Sequence, residues 1–410
     1  MNGKHLTLAL AAPVLGIVLL TTGCDDMLNM TPPGFNFPHD PYPIYTIINS
    51  TLTSAQLIRI QFNKFGMGFK LFGSNVILPG PQSSFRVGRL GGGTLDPDPD
   101  EHFMCPDLWP DPDDEFPLPD PPLPMPDYPD EDPFDGLPEP PPFPDDMLPI
   151  TDLSDGDVTI VNTGGTDRGL PGAGRESTVT GHIIVGAQPA GIAGTYDRKY
   201  IAVANLGSDS ISLIQNGAVT ATIRLPGGTR PFALAFSPDD SRLYVTSWVR
   251  SGGHLVVVDV ASQQVIASVT TGNFPSGIAV MPDGSQVWVT SFFNDSVTVV
   301  DTLSNTVSFV ISGVLNAWGI AFNITGTRAF VANADTVAGG LTAIDTATYK
   351  VIKRIPTGDG SRTVAVSPTG RHVFVTNRNG NTVSQIDARG LTLIRNIVVG
   401  PNPEGLQMVK

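Results

Sequence analysis

Apolar and small residues recur from about residue 185 onward in short alternating runs that Gly, Pro, Asp and Asn separate. Alternation with a period of two is typical of half-buried strands, and the separating residues favour turns. Five runs share an apolar residue, Val, a small residue and Ser or Asn in nearly the same order. They lie at 201–205, 244–247, 288–291, 330–333 and 374–377, about 42 to 44 residues apart.

Each of these runs occupies the same place within a longer repeat. A strand follows each run, and four of these following strands end on Asp259, Asp301, Asp345 and Asp387. A strand rich in Gly and Ala, closed by a turn, precedes most of the runs, and a fourth strand ends the repeat. Four strands every forty-odd residues is the period of a β-propeller blade, and small residues suit a first strand that crowds the central axis. The pattern predicts an all-β fold.

The repeated motifs resemble those of a known family. The runs are close variants of the signature Tyr-Val-Thr-Asn, 282–284 is a Pro-Asp-Gly turn, and the following strands are variants of Val-Ile-Asp-Thr. In these motifs the chain is similar to YVTN β-propeller repeat proteins over about 185–402, in five repeats. The resemblance implies a propeller and leaves the ligand open.

The ends of the repeat region predict how the ring closes. Residues 157–163 look like a third strand, 178–185 like a fourth strand, and 405–409 like a first strand. The two ends would then share one composite blade, which removes exposed sheet edges. This interpretation gives about six four-stranded blades, with seven as the alternative.

The N-terminus has the pattern of an export signal. Lys4 and His5 precede an apolar run over 6–20, and 20–24 resembles a lipobox that ends in Cys24. We expect a signal peptide at 1–23, lipidation of Cys24, a tether at 24–45 and attachment to a membrane through the lipid anchor. An ordinary cleaved signal or an uncleaved anchor are the alternatives. The predicted location is the cell envelope of a bacterium, either periplasmic or surface-exposed.

Two further segments precede the propeller, which we expect at 151–410. Residues 46–90 alternate apolar and polar positions and predict a small β unit. Residues 91–150 hold about nineteen prolines, and 96–146 contribute about −18 of the net charge of −15 without a Lys or Arg. Like charges repel and Pro disfavours helix, so this stretch predicts a disordered Pro/Asp-rich linker. The near-neutral propeller has no basic footprint, so nucleic acid is not an expected partner.

The propeller repeats offer few candidates for catalysis or metal binding. His182, His254 and His372 fall in different phases of the repeat, which argues against a shared metal site. The recurring Asp residues occur once per blade at strand ends, as turn-capping residues do. We predict no cofactor, no metal site and no catalytic residues.

Strand direction predicts where a partner binds. In a four-stranded blade the loops after the second and fourth strands emerge on the same face. Aromatic and Arg side chains, which are enriched in interface cores, concentrate at these positions. The candidate ligand- or partner-binding residues are Trp248, Arg250, Phe292, Phe293 and Arg378 after second strands, and Arg230, Phe274, Trp318 and Arg362 before first strands.

The favoured function is a non-enzymatic, surface-tethered lipoprotein that binds or scaffolds an unknown protein or carbohydrate through this face. Two alternatives remain open. One is a cryptic propeller hydrolase or lyase of the lactonase-like or streptogramin-lyase-like kind, which needs converging His and acidic residues. The other is a propeller subunit that partners a redox enzyme, as in amine dehydrogenases.

Overall fold

The computed structural model describes residues 44–51, 54–62, 69–79, 86–87, 147–151, 156–162, 178–334 and 340–408. Apart from a single 3-10 turn at Phe292–Asn294, the regular structure of these residues is entirely β. The predicted signal peptide, Cys24, most of the tether and the linker up to residue 146 lie outside them. The last residues of the predicted linker fall inside, within the strand Met147–Thr151.

The described strands form seven four-stranded antiparallel sheets, which we number as blades 1 to 7. Blade 3 contains β8 (Pro189–Gly194), β9 (Ile201–Asn205), β10 (Ser210–Gln215) and β11 (Ala218–Arg224). Blade 4 contains β12 (Pro231–Phe236), β13 (Arg242–Ser247), β14 (His254–Asp259) and β15 (Gln264–Thr270). Blade 5 contains β16 (Pro275–Val280), β17 (Gln286–Ser291), β18 (Ser296–Asp301) and β19 (Thr306–Ser312).

Blades 6 and 7 follow blade 5 along the chain, and blades 1 and 2 lie on the other side of blade 3. Blade 6 contains β20 (Ala317–Phe322), β21 (Arg328–Asn333), β22 (Gly340–Asp345) and β23 (Val351–Ile355). Blade 7 contains β24 (Ser361–Val366), β25 (His372–Asn377), β26 (Thr382–Asp387) and β27 (Thr392–Val398). Blade 2 contains β4 (Arg86–Val87), β5 (Met147–Thr151), β6 (Asp157–Asn162) and β7 (Thr178–Ile184). Blade 1 contains β1 (Ile44–Thr51), β2 (Ser54–Phe62), β3 (Phe69–Pro79) and β28 (Leu406–Met408).

The all-β propeller fold is confirmed, and the described residues form seven sheets, the alternative blade count. The predicted composite blade is wrong in its membership, because β28 pairs with β1 in blade 1 and not with β6 and β7. The strands expected as a separate small β unit belong to the propeller instead, because β1, β2 and β3 lie in blade 1 and β4 lies in blade 2. The reason is that β1 leaves a sheet edge that an inner strand must cover, and β28 covers it.

The seven inner strands pack side by side around the axis, in the order β28, β4, β8, β12, β16, β20 and β24. The prediction that small residues are needed there is confirmed at the interblade contacts. A Cβ added to Gly277 would lie 2.1 Å from the carbonyl oxygen of Trp318 in the next blade. At Gly319 the same atom would lie 2.4 Å from the carbonyl oxygen of Arg362. Larger side chains would therefore force neighbouring blades apart.

The Thr of the repeated signature joins neighbouring blades. The buried Thr290 hydroxyl accepts a hydrogen bond from the Gly277 N–H at 2.7 Å and donates one to the Trp318 carbonyl at 2.5 Å. Thr376 likewise accepts from the Thr363 N–H and donates to the Glu404 carbonyl. In blades 5 and 7 the signature Thr therefore positions the start of the following inner strand, where candidate side chains lie.

The recurring Asp residues cap turns, as predicted. Asp301 Oδ1 accepts hydrogen bonds from the Ser304 N–H and hydroxyl at 2.8 and 2.7 Å, and Asp259 and Asp345 do the same with Ser262 and Thr348. These hydrogen bonds stabilise the carboxylates and hold the pKa of each of the three Asp residues below its usual range.

The propeller has two different faces. Second and fourth strands end at the face that we call the upper face, whereas turns between first and second strands and between third and fourth strands lie at the lower face. The three longest stretches outside the described residues, 1–43, 88–146 and 163–177, join the propeller at Ile44, Val87, Met147, Asn162 and Thr178. The pairs Ile44–Met408 and Met147–Asn162–Thr178 place these junctions at the lower face.

Candidate functional site

One repeated position contributes side chains to the upper face near the axis. It is the second residue of each inner-strand segment from blade 4 to the segment that contains the closing strand. These residues are Phe232, Ser276, Trp318, Arg362 and Glu404. Gly277 and Gly319, which follow Ser276 and Trp318, pack against the next blade and hold this column of side chains at the upper mouth of the ring.

Six rings from blades 4 to 6 form a continuous group at the upper face, which we call the aromatic cluster. Its members are Phe232, Trp248, Phe274, Phe292, Phe293 and Trp318. The rings of Phe232 and Trp248 stack, with centroids 4.4 Å apart. The other six contacts within the cluster, including that between Phe292 and Phe293, are edge-to-face, with ring centroids between 4.8 and 6.2 Å apart. Such geometries are the ones that aromatic quadrupoles favour.

The cluster is graded from buried to exposed. Phe232 is buried, whereas Phe293 is 62% exposed, and the four other rings are half-buried. The buried indole Nε1 of Trp318 has no hydrogen-bond partner among the described residues. The inner rings therefore support the cluster, and the outer rings present apolar surface to solvent.

Charged side chains border the cluster on blade 7 and the closing strand. The guanidinium carbon of Arg362 lies 4.0 Å from the centroid of the Trp318 ring. Arg378 forms an ion pair with Glu404, whose backbone carbonyl also accepts hydrogen bonds from Thr363 and Thr376. The upper face thus combines an aromatic area and an adjoining charged area.

Phe274 reaches the cluster through an unusual backbone conformation. The residue before each inner strand from blade 3 to blade 7 has positive φ, and so has the residue at the aligned position ahead of the closing strand. These residues are Gln188, Arg230, Phe274, Asn316, Gly360 and Asn402. Asn and Gly adopt this region readily, but a bulky aromatic residue does so rarely. The φ of +46° at Phe274 is therefore local strain retained at the candidate site.

The structure brings most of the predicted site residues together. Trp248, Phe274, Phe292, Phe293 and Trp318 share one cluster, and Arg362 stacks on it. Arg378 lies at the same face in its ion pair. Arg230 and Arg250 are exposed there and, within the described part of the chain, make no ring or charge contact.

Two residues were missed by the sequence reasoning. Phe232 and Glu404 occupy the same inner-strand position as Trp318 and Arg362. Aligning the inner strands one residue earlier than the small-residue motif would have placed all four in one column.

Two acidic groups of this face are engaged in the fold, whereas Asp359, in the loop between β23 and β24, is exposed. Asp209 accepts hydrogen bonds from the backbone N–H groups of Gly228 and Arg230, at 2.8 and 2.6 Å, and Asp295 accepts one from Asn316. No group of three or more His, Cys, Asp or Glu residues placed to hold a metal occurs among the described residues. Within the same residues, no helix is long and apolar enough to cross a membrane.

Comparisons with known proteins agree on the fold. The sequence model of the YNCE-like beta-propeller family matches residues 240–410, which is less than half of the chain. Hydrazine synthase from Kuenenia stuttgartiensis is similar in structure, with a TM-score of 0.55 and 21% identity over 63% of this chain and 85% of that chain. A functionally unknown protein from Desulfotomaculum acetoxidans has a TM-score of 0.52 and 13% identity, over 64% and 85% of the two chains.

These likenesses show the fold alone, because both identities are low. No curated protein sequence matches the chain. The chain is therefore a β-propeller repeat protein, and its function has to be argued from its own residues.

Proposed function

We propose that this protein is a YVTN-type lipoprotein of the bacterial cell envelope, and that it binds a protein partner through its upper face without catalysing a reaction. The observation that carries the proposal is the aromatic cluster. Six rings from three blades lie in contact on one face, and a guanidinium stacks on one of them.

The cluster has the composition of a protein-binding hot spot. Trp and Arg are enriched among residues that dominate binding energy, and rings lose little conformational entropy when a partner covers them. The edge-to-face contacts already fix the ring orientations before binding, so less ordering remains to be done. The Arg378–Glu404 ion pair borders this apolar centre in the way that polar groups form the rim of an interface.

A binding role also agrees with the hydrogen bonds and the ion pair that three acidic side chains of the face form within the fold. Glu404 pairs with Arg378, and Asp209 and Asp295 accept hydrogen bonds from backbone N–H groups. A general base must be free to take a proton from a substrate. The engagement of these three acids in the fold therefore favours binding over hydrolysis at their positions.

Anchoring is supported by the sequence alone. The apolar run at 6–20 and the Gly23-Cys24 junction are typical of a lipoprotein signal. Mass spectrometry of the mature protein should find an N-terminal Cys24 that carries lipid. An unmodified N-terminus at any other residue would contradict the anchor and leave the binding proposal standing.

Site-specific photocrosslinking in the native cells tests the binding role. A photoreactive amino acid replaces Phe293 of the aromatic cluster, and in a matched variant it replaces Leu303, which is 89% exposed in a turn of the lower face. We expect a discrete crosslinked protein at position 293 and none at position 303. Excess purified wild-type protein should compete with the crosslink.

The same experiment includes a control for specificity. Adding Trp248→Ala to the photoreactive variant should abolish the crosslink while the protein remains folded by circular dichroism. Equal crosslinking at both positions, or a crosslink that Trp248→Ala leaves unchanged, would count against the upper face as the binding surface. Crosslinking to a glycan instead of a protein would change the partner class.

A further inference from the structure

Two exposed arginines of blade 4, Arg230 and Arg250, border the aromatic cluster. We infer that the protein partner binds through an acidic segment, whose carboxylates pair with these two arginines while its apolar side chains cover the exposed rings. This inference rests on the proposed function, and it names the chemistry of the partner that the face accepts.

The backbone fixes both arginines beside the cluster. The Trp248 N–H donates a hydrogen bond to the Arg230 carbonyl at 2.8 Å. The Phe274 N–H donates one at 2.9 Å to the carbonyl of Val249, the residue before Arg250. Both arginine side chains therefore start from backbone that is tied to rings of the cluster. A partner that covers these rings lies within reach of both guanidiniums.

The acid that contacts the Arg230 backbone is already engaged. Asp209 accepts a hydrogen bond from the Gly228 N–H through one carboxylate oxygen and from the Arg230 N–H through the other. Within the described part of the chain, the side chains of Arg230 and Arg250 form no hydrogen bond, ion pair or ring contact. Both guanidiniums are therefore available to carboxylates of a partner, in the bidentate geometry that this pairing favours.

The other charges of the upper face complete the arrangement. Asp295 accepts a hydrogen bond from the Asn316 N–H, and the buried Glu404 forms an ion pair with Arg378. Among the described loop residues of this face, exposed positive charge lies on blade 4, and the exposed acid, Asp359, lies on blade 7. A partner that places carboxylates over blade 4 matches this distribution, whereas a basic segment would meet two unpaired cations there.

The same distribution favours a peptide over a phosphate polymer or a lipid surface. Aromatic rings beside arginine also occur in proteins that bind single-stranded nucleic acid or anionic membranes. Those ligands carry many phosphates, and a surface that follows them needs a row of cations. Here the two exposed arginines lie on one blade, and Asp359 beyond the cluster would repel further phosphates. A short acidic segment with apolar residues needs less positive charge.

Peptide selection tests the inference. A phage-displayed library of short random peptides is selected on the full-length protein, and clones that no longer bind the Trp248→Ala protein are retained as ligands of the aromatic cluster. We expect the retained clones to be enriched in Asp and Glu next to apolar residues. Synthetic peptides of the enriched sequences are then titrated against the full-length protein by fluorescence anisotropy.

A double variant tests the role of the two arginines. Arg230→Ser with Arg250→Ser should weaken binding of these peptides about threefold to tenfold and remove most of its salt dependence, because two exposed ion pairs are lost. Lys353→Ser with Arg389→Ser removes the same charge from exposed positions away from the upper face and should leave the affinity unchanged. Both double variants should keep the wild-type melting temperature within a few degrees.

Three results of the selection would overturn the inference. They are retained clones without enrichment in acidic residues, a library that yields no clone dependent on Trp248, and an affinity that the Arg230 and Arg250 substitutions leave unchanged. Tighter binding of a fluorescent oligothymidine or of phosphatidylglycerol vesicles than of the peptides, lost in the same double variant, would replace the acidic segment with a phosphate ligand.

The native partner separates this inference from the proposed function. The partner peptide that crosslinks at position 293 should contain Asp or Glu, as read by mass spectrometry. A crosslink to a segment without acidic residues would refute the inference and leave the binding role standing. Absence of a crosslink at position 293 would refute the binding role itself.

Discussion

The Arg362 guanidinium stacks over the Trp318 ring at 4.0 Å and so joins the inner strands of blades 6 and 7 at the upper face. Cation–π contacts contribute about 0.5–1 kcal/mol at exposed sites and more when desolvated. The pair also borders the aromatic cluster with a planar, charged group that can bind a carboxylate. The pair therefore stabilises the contact between blades 6 and 7 and also contributes a charged group to the binding face.

We predict that Arg362→Lys weakens binding of the crosslinked partner about tenfold, because Lys keeps the charge but loses the planar stack. The melting temperature should fall by only a few degrees, since Arg362 is half-buried. Thermal denaturation and titration with the purified partner measure the two effects. Arg224→Met, at the exposed end of β11, is the control and should alter neither.

Phe274 allows strain and binding to be separated. Phe274→Asn introduces the residue that the chain itself uses at the equivalent positions Asn316 and Asn402. Relief of the left-handed strain, about 1–3 kcal/mol, should offset the loss of the ring contacts to Trp248 and Phe293. We expect a free energy of unfolding within about 1 kcal/mol of wild type and weaker partner binding.

Phe292→Asn is the matched control for Phe274→Asn. Phe292 also contacts two rings of the cluster, but it is not among the residues with positive φ. This variant should therefore be less stable than Phe274→Asn in urea denaturation. If both variants lose the same free energy, the backbone of Phe274 is not strained.

Thr290→Val should destabilise the propeller by about 1–3 kcal/mol. The substitution keeps the shape but removes the hydroxyl that bridges the Gly277 N–H and the Trp318 carbonyl, so the Gly277 N–H loses its partner and the carbonyl keeps only a long hydrogen bond from Ser276. Chemical denaturation measures the loss. Thr222→Val on the exposed face of β11 should change stability by no more than about 0.5 kcal/mol. Equal effects of the two variants would contradict the bridging role.

Removing residues 405–410 should lower the melting temperature strongly, because it deletes β28 and exposes the edge of β1. Removing only 409–410 leaves the pairs Leu406–Thr46 and Met408–Ile44 in place and should have little effect. Differential scanning calorimetry compares the two truncations. Similar melting temperatures would mean that β28 does not close the ring.

We predict that the turn-capping Asp residues make the stability of the propeller depend on pH. Their pKa values are lowered in the folded chain from the ordinary value of 3.8, so their contribution is present above the pKa of the unfolded chain. It is lost as the pH falls through the lower folded pKa values. The melting temperature should therefore drop less below about pH 4 in the combined variant Asp259→Asn, Asp301→Asn, Asp345→Asn than in wild type. A steeper drop in the variant would reverse the sign of the argument.

Local patterns along the chain are enough to predict the blades and the face that holds the candidate residues. Period-two alternation, small inner-strand residues such as Gly277 and capping residues such as Asp301 act within one repeat, so their meaning is local. The direction of strands within a blade then places Trp248 and Phe274 on the same face. These inferences hold because the strands and turns of a blade depend on residues within the same repeat.

The closure of the ring and the contacts between side chains of different blades depend on the packed fold. The pairing of β28 with β1 joins the two ends of the chain, and nothing in the sequence of β28 distinguishes β1 from β6 as its neighbour. The stacking of Phe232 on Trp248 and the pairing of Arg378 with Glu404 depend in the same way on the position of whole strands or blades relative to one another. Such contacts join residues far apart in the chain, so local patterns do not encode them and only the packed ring selects them.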